Sequence, residues 1–138
     1  MQILWPAFAM FALTGVVVVR LALLRAAALK DGRMRLSFYR LYRDGQEPAE
    51  VAVFSRHFIN LFEAPVLLYV AVIIGHVTGQ TGSLPVALAW VYVALRCVHT
   101  LIHLGSNDVM WRFRVYGASW LVLAALWITL GLGLAGIA

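Results

Sequence analysis

Four apolar stretches, at about residues 3–29, 55–78, 84–104 and 110–137, leave this chain few ways to fold. A helix rises about 1.5 Å per residue and a bilayer core is about 30 Å thick, so roughly 20 mostly apolar residues make one crossing. Each stretch is long enough. Charged residues make up only 12% of the chain, about half the share in an ordinary soluble domain. The expected fold is therefore an all-α membrane protein, a four-transmembrane-helix bundle in which residues 1–138 form a single membrane domain. The opening MQILWPAFAMFALTG has no basic residue before Arg20, which a signal peptide would need, so it reads as the first span. The single cysteine, Cys97, excludes an internal disulfide and a cysteine-based zinc site, and reads as a packed thiol.

The connections are unequal. GQTGSLP joins the second and third stretches as a short uncharged turn. GSND joins the third and fourth, with Gly105 placed to stop one helix and Asn107 or Asp108 to cap the next. Only the first connection, about 30–54, is long, and it carries Arg33, Arg35, Arg40 and Arg43, with Pro48 leading into the second helix. The first and third connections share one side of the membrane and collect Lys30, those four arginines, Arg112 and Arg114. The other side has no Lys or Arg near a helix end. By the positive-inside rule both termini lie outside and the basic loops in the cytoplasm. Headgroup contacts account for the loop arginines, and the net charge of +5 requires no nucleic acid.

Polar residues inside the spans need another explanation. Arg56, Asn60 and Glu63 stand at spacings of four and three, as on one helix face, and Arg96, His99 and His103 do likewise. Arg20 and Arg25 lie late in the first span, while Arg112 and Tyr116 open the fourth. Because helix direction alternates, all four groups fall at one depth, on the basic side. Arginine reaches an interface by extending its stem, which explains Arg20, Arg25 or Arg112 singly. The shorter Glu63, Asn60, His99 and His103 cannot do this, so a shared polar cavity is expected. Its arginines outnumber its one carboxylate, which favours an anionic ligand, and a small zwitterionic peptide suits it. Arg96 is the expected partner of Glu63. Trp5, Trp90, Trp111, Trp120, Trp127, Tyr69 and Tyr92 read as packing or lipid-facing aromatics. Gly131, Gly133 and Gly136 suggest close helix packing. His76 reads as solvated, and His57 as a headgroup contact.

These residues resemble the motifs of the MAPEG family, the membrane-associated proteins of eicosanoid and glutathione metabolism. Arg56, Asn60 and Glu63, followed by Pro65, resemble its helix-two signature. Arg96-Cys97-Val98-His99-Thr100 through Leu104-Gly105 is similar to the helix-three motif of the microsomal prostaglandin E synthase and glutathione transferase branch. Arg112 to Tyr116 resembles that branch's entry to helix four. The resemblance implies a homotrimer with glutathione bound as cosubstrate between subunits near the cytoplasmic face. Arg25, Arg56, Asn60, Glu63, His99, His103 and Tyr116 would then contact glutathione. Arg96 and Glu63 would form a structural ion pair, and Arg112 would be the catalytic, thiolate-stabilising cation. There are departures: His103 stands where the motif usually has tyrosine, Ile59 where the prostaglandin branch has a second arginine, and Asp108 where it has a basic residue.

Three functions compete. The first is a glutathione-dependent transferase or peroxidase acting on hydrophobic electrophiles that arrive from membrane lipid, in a small protein of a bacterial inner membrane. The second is a non-catalytic scaffold binding glutathione or lipid, which His103 and Ile59 favour. The third is a metal or proton site at His99 and His103 with Glu63, which Arg96 and Arg112 oppose, so no metal is expected.

Overall fold

The computed structural model describes residues 1–41 and 47–137, so of the loop arginines Arg43 lies outside the described residues. A 3₁₀ turn, Gln2–Leu4, leads into α1, Trp5–Lys30, with Pro6 in the first turn, where a missing N–H costs nothing. A single turn, α2, Phe38–Leu41, interrupts the first connection. The remaining helices are α3, Ala49–Leu61; α4, Ala64–Val77; α5, Ser83–Leu104; and α6, Val109–Leu134. No strand occurs among the described residues. Four segments, Gln2–Lys30, Ala49–Val77, Ser83–Leu104 and Val109–Leu134, are long and apolar enough to cross a membrane.

The second crossing departs from expectation. It starts at Ala49, directly after Pro48, and it is two helices rather than one. α3 ends at Leu61, where the Phe62 N–H turns back to the Ile59 carbonyl, and Glu63 is non-helical at φ −91°, ψ −101°. Pro65 explains the break. Its ring has no N–H and clashes with the carbonyl four residues back, which belongs to Leu61, the last residue of α3.

One apolar core runs along the bundle, built from Ile3, Met10 and Val17 of the first span, Leu68, Ala71 and Val72 of α4, Ala89 and Tyr92 of α5, and Leu123, Leu126 and Leu130 of α6. A second cluster of Leu21, Ala28, Met34, Phe38 and Val51 seats the first connection against α1 and α3. Outside this core, Phe8, Phe11, Val70, Ile73, Leu121 and Ile128 are exposed, as a lipid-facing surface requires. The third connection follows its sequence signals: Gly105 ends α5, and the Asp108 carboxylate accepts from the Trp111 N–H at 2.9 Å. The glycine expectation is only partly met. Gly133 lies against the Gln80 side chain, but Gly131 and Gly136 face open space. A close approach that the sequence did not signal is at Gly75, where a Cβ would stand 2.7 Å from Ile3 Cδ1.

Candidate functional site

α5 positions most of the site with a single stripe. Pro85, Ala89, Tyr92, Arg96, His99 and His103, spaced alternately by four and three, are all buried. Along this face the N-terminal half is apolar and the half near the basic loops is polar. Arg96, His99 and His103 therefore point into the bundle together, as their spacing suggests.

Arg96 is fully buried, and its partner is Asn60 rather than the expected Glu63. Its Nη2 donates to the Asn60 side-chain oxygen and, at 3.1 Å, to the Asn60 carbonyl. That carbonyl lies in the last turn of α3, where helix carbonyls lose their intrahelical donors. The break at Pro65 thus creates the acceptor that Arg96 satisfies. Glu63, exposed at the break, forms no ion pair with Arg96 among the described residues. The Arg96 guanidinium lies over the Tyr116 ring at 5.4 Å, while its Nε and Nη1 are buried without a hydrogen-bond partner among the described residues.

Beside this group a cleft of about 260 Å³ is lined by Asn60, His99, Val109, Arg112, Phe113 and Tyr116. Arg112 enters from the first turn of α6. Its Nη1 donates to Asn107 Oδ1 at 2.8 Å, and its Nε is buried without a partner among the described residues. Asn107 has φ +53°, a left-handed conformation that asparagine tolerates better than most residues. Arg112 lines the cleft and Arg96 lies behind Asn60 and Tyr116, with three buried donor nitrogens unpartnered among the described residues and no carboxylate in the lining, a composition that suits an anion.

Behind the cleft lies a group that sequence reasoning missed. His57, expected at the headgroups, is fully buried, with its Nε2 2.9 Å from Thr100 Oγ1. Its ring centroid stands 5.6 Å from that of His99 and 4.8 Å from that of His103. A signal existed. His57 is in phase with Leu61, Ala64, Leu68, Ala71 and Gly75, the buried stripe of α3 and α4, at spacings of four, three, four, three and four. Among the described residues no three His, Cys, Asp or Glu side chains are arranged to hold a metal ion.

The other expected residues lie apart from the cleft. Arg56 is exposed on α3. Arg25 is engaged elsewhere: its Nη2 donates to Glu47 Oε1 at 3.1 Å and Ser55 Oγ at 2.9 Å, and its guanidinium stacks 5.0 Å over Tyr39. That knot fastens the end of α1 to α3 and the first connection.

No curated protein and no solved structure matches this chain. A family model described as MAPEG family matches residues 3–132, nearly the whole of the 138 residues, and the chain belongs to that family.

Proposed function

We propose that the protein is a glutathione-dependent membrane transferase or peroxidase acting on hydrophobic electrophiles. The observation that carries this reading is the unpaired charge of Arg96: a fully buried guanidinium with two free donors, next to a cleft that Arg112 also borders. A buried cation without a counterion is costly, and an anionic ligand removes the cost. Glutathione fits the donor set. A carboxylate suits Arg96, its amides suit Asn60 and Tyr116, and His99 completes the wall, which leaves Arg112 for the sulfur. Arg56 and Glu63, exposed at the same end of a single chain, suit a site shared between copies, with Glu63 free to hold the ligand's ammonium group. We therefore place glutathione between subunits of a homotrimer at the cytoplasmic side, with both termini outside.

In this arrangement glutathione supplies the nucleophilic sulfur. Arg112 does the electrostatic work: a cation beside sulfur, in a cleft whose lining includes the apolar Phe113 and Val109, favours the thiolate. The start of α6 adds the positive end of a helix dipole. Asn107 holds the guanidinium in place. The apolar substrate arrives by partition from the lipid-facing surface, while the thiol arrives from water.

Titration of glutathione into the detergent-solubilised protein, read by thiolate absorbance, tests this reading. In the native chain a thiolate signal is expected. Arg112→Ala is expected to raise the thiol pKa of bound glutathione by about 1–2, and to cut turnover by about 100-fold while weakening binding far less. Binding without thiolate in the native chain would replace the enzyme with a glutathione-binding scaffold.

A further inference from the structure

Anion binding leaves the buried histidine cluster unexplained, and its hydrogen bonds favour one protonation state. Thr100 Oγ1 donates its only proton to the Arg96 carbonyl at 2.8 Å. Toward His57 Nε2, at 2.9 Å, it can therefore only accept. His57 carries its proton on Nε2, so in the neutral ring Nδ1 is a bare lone pair. That atom is buried and has no hydrogen-bond partner among the described residues. His57 is 0% exposed, His99 2% and His103 3%. His99 also lines the cleft with Arg112, so the cluster runs from the cleft wall into the protein.

A thiol that ionises beside Arg112 must give its proton to something, and a guanidinium has no acceptor. Resting on the glutathione reading above, we propose that the buried histidine cluster takes that proton, His99 receiving it at the cleft and His57 holding it on Nδ1. The S–H bond breaks and leaves its electron pair on sulfur. An N–H bond forms on His99, and passage of a proton to His57 returns His99 to the neutral form. Around the cluster stand Arg96, His99 and His103 from α5, Arg112 and Tyr116 from α6 and Arg56 from α3, with Glu63 at the head of α4 acting on Arg96. Arg25 of α1 is engaged with Glu47. A lone imidazolium among these guanidiniums would be repelled, but a thiolate in the cleft supplies its countercharge. The proton is thus taken up only when sulfur ionises, and it stays within the site.

The test reads thiolate and released protons together, adding glutathione to the full chain in weakly buffered detergent with a pH-indicator dye. S-methylglutathione, which has no thiol proton, supplies the baseline for proton changes at other groups. The native chain should form thiolate while releasing well under about half a proton for each, and His57→Phe should release about one. His99→Gln, which blocks entry to the cluster but leaves His57 packed, should match His57→Phe. About one proton released per thiolate in the native chain would overturn the proposal and leave the glutathione reading standing. Binding without thiolate, or no binding, would overturn that reading and the proton acceptor with it. If His57→Phe does not fold, nitrogen-labelled histidines in the native chain decide by magnetic resonance. Conversion of one ring from the Nε2–H form to imidazolium with glutathione, but not with S-methylglutathione, supports the proposal, and unchanged rings overturn it.

Discussion

A guanidinium buried in a membrane bundle is expensive, and Arg96 recovers part of that cost from Asn60 and from the Tyr116 ring. Exchanging it for glutamine therefore separates architecture from ligand. Arg96→Gln keeps an N–H for Asn60 and loses the charge. Its thermal melting should stay near that of the native chain, while glutathione affinity falls about 30-fold or more, the equivalent of about 2 kcal/mol. Unchanged affinity would mean that the charge has another purpose. Asn107 makes a finer distinction. Asn107→Gly keeps the left-handed backbone and removes the acceptor for Arg112, so melting should hold while the thiolate fraction of bound glutathione drops. An unaltered thiolate signal would show that Arg112 needs no tether. At this scale the sequence reveals residue types better than partners. The Arg96–Glu63 pair was the natural inference from opposite charges, yet a backbone break moved Glu63 outward and put an amide in its place. His57 looked peripheral because Arg56 beside it is exposed, though on a helix adjacent residues point about 100° apart.

The face of α5 was legible because one uninterrupted helix preserves the alternation of fours and threes over its whole length. The polar edge of the second crossing was not, because Glu63 leaves the helix at the break and turns outward, away from the face of Asn60, although the buried stripe from His57 to Gly75 keeps its phase. The proline itself was visible, and its consequence follows from the carbonyl of Leu61. Helix ends were readable wherever a side chain or glycine makes them, as Asp108 and Gly105 do. Gly105 has a second use. A Cβ there would stand 2.7 Å from the Leu101 carbonyl oxygen, a backbone atom that cannot swing aside. Gly105→Ala should therefore cost about 1–3 kcal/mol in thermal melting and loosen the turn that delivers Asn107 and Arg112. A native-like melting curve would show that the turn accepts a Cβ by a small backbone shift.

Across the whole molecule the charges are segregated: no Lys, Arg, Asp or Glu lies between Glu63 and Arg96 or after Arg114. The half of the bundle near the termini is thus apolar core and lipid-facing surface, and the half near the basic loops holds the cleft, the histidine cluster and the ionic knot at Arg25. Such a gradient suits a protein that meets a water-soluble thiol on one side only and a lipid-dissolved substrate laterally. It also makes orientation decisive, because the proposed reaction requires the cleft to face the compartment that holds glutathione. The orientation can be read with single cysteines in a Cys97→Ser background, one at Ser106 in the third connection and one at Thr81 in the second. A membrane-impermeant thiol reagent added outside intact cells should label the cysteine at Thr81 and spare the one at Ser106, with the pattern reversed in inverted membranes. The opposite pattern would put the cleft outside, away from cytosolic thiol, and would remove the partition argument on which the proposed chemistry depends. Labelling of both sites from one side would mean that the helices between them do not span the bilayer as an antiparallel pair.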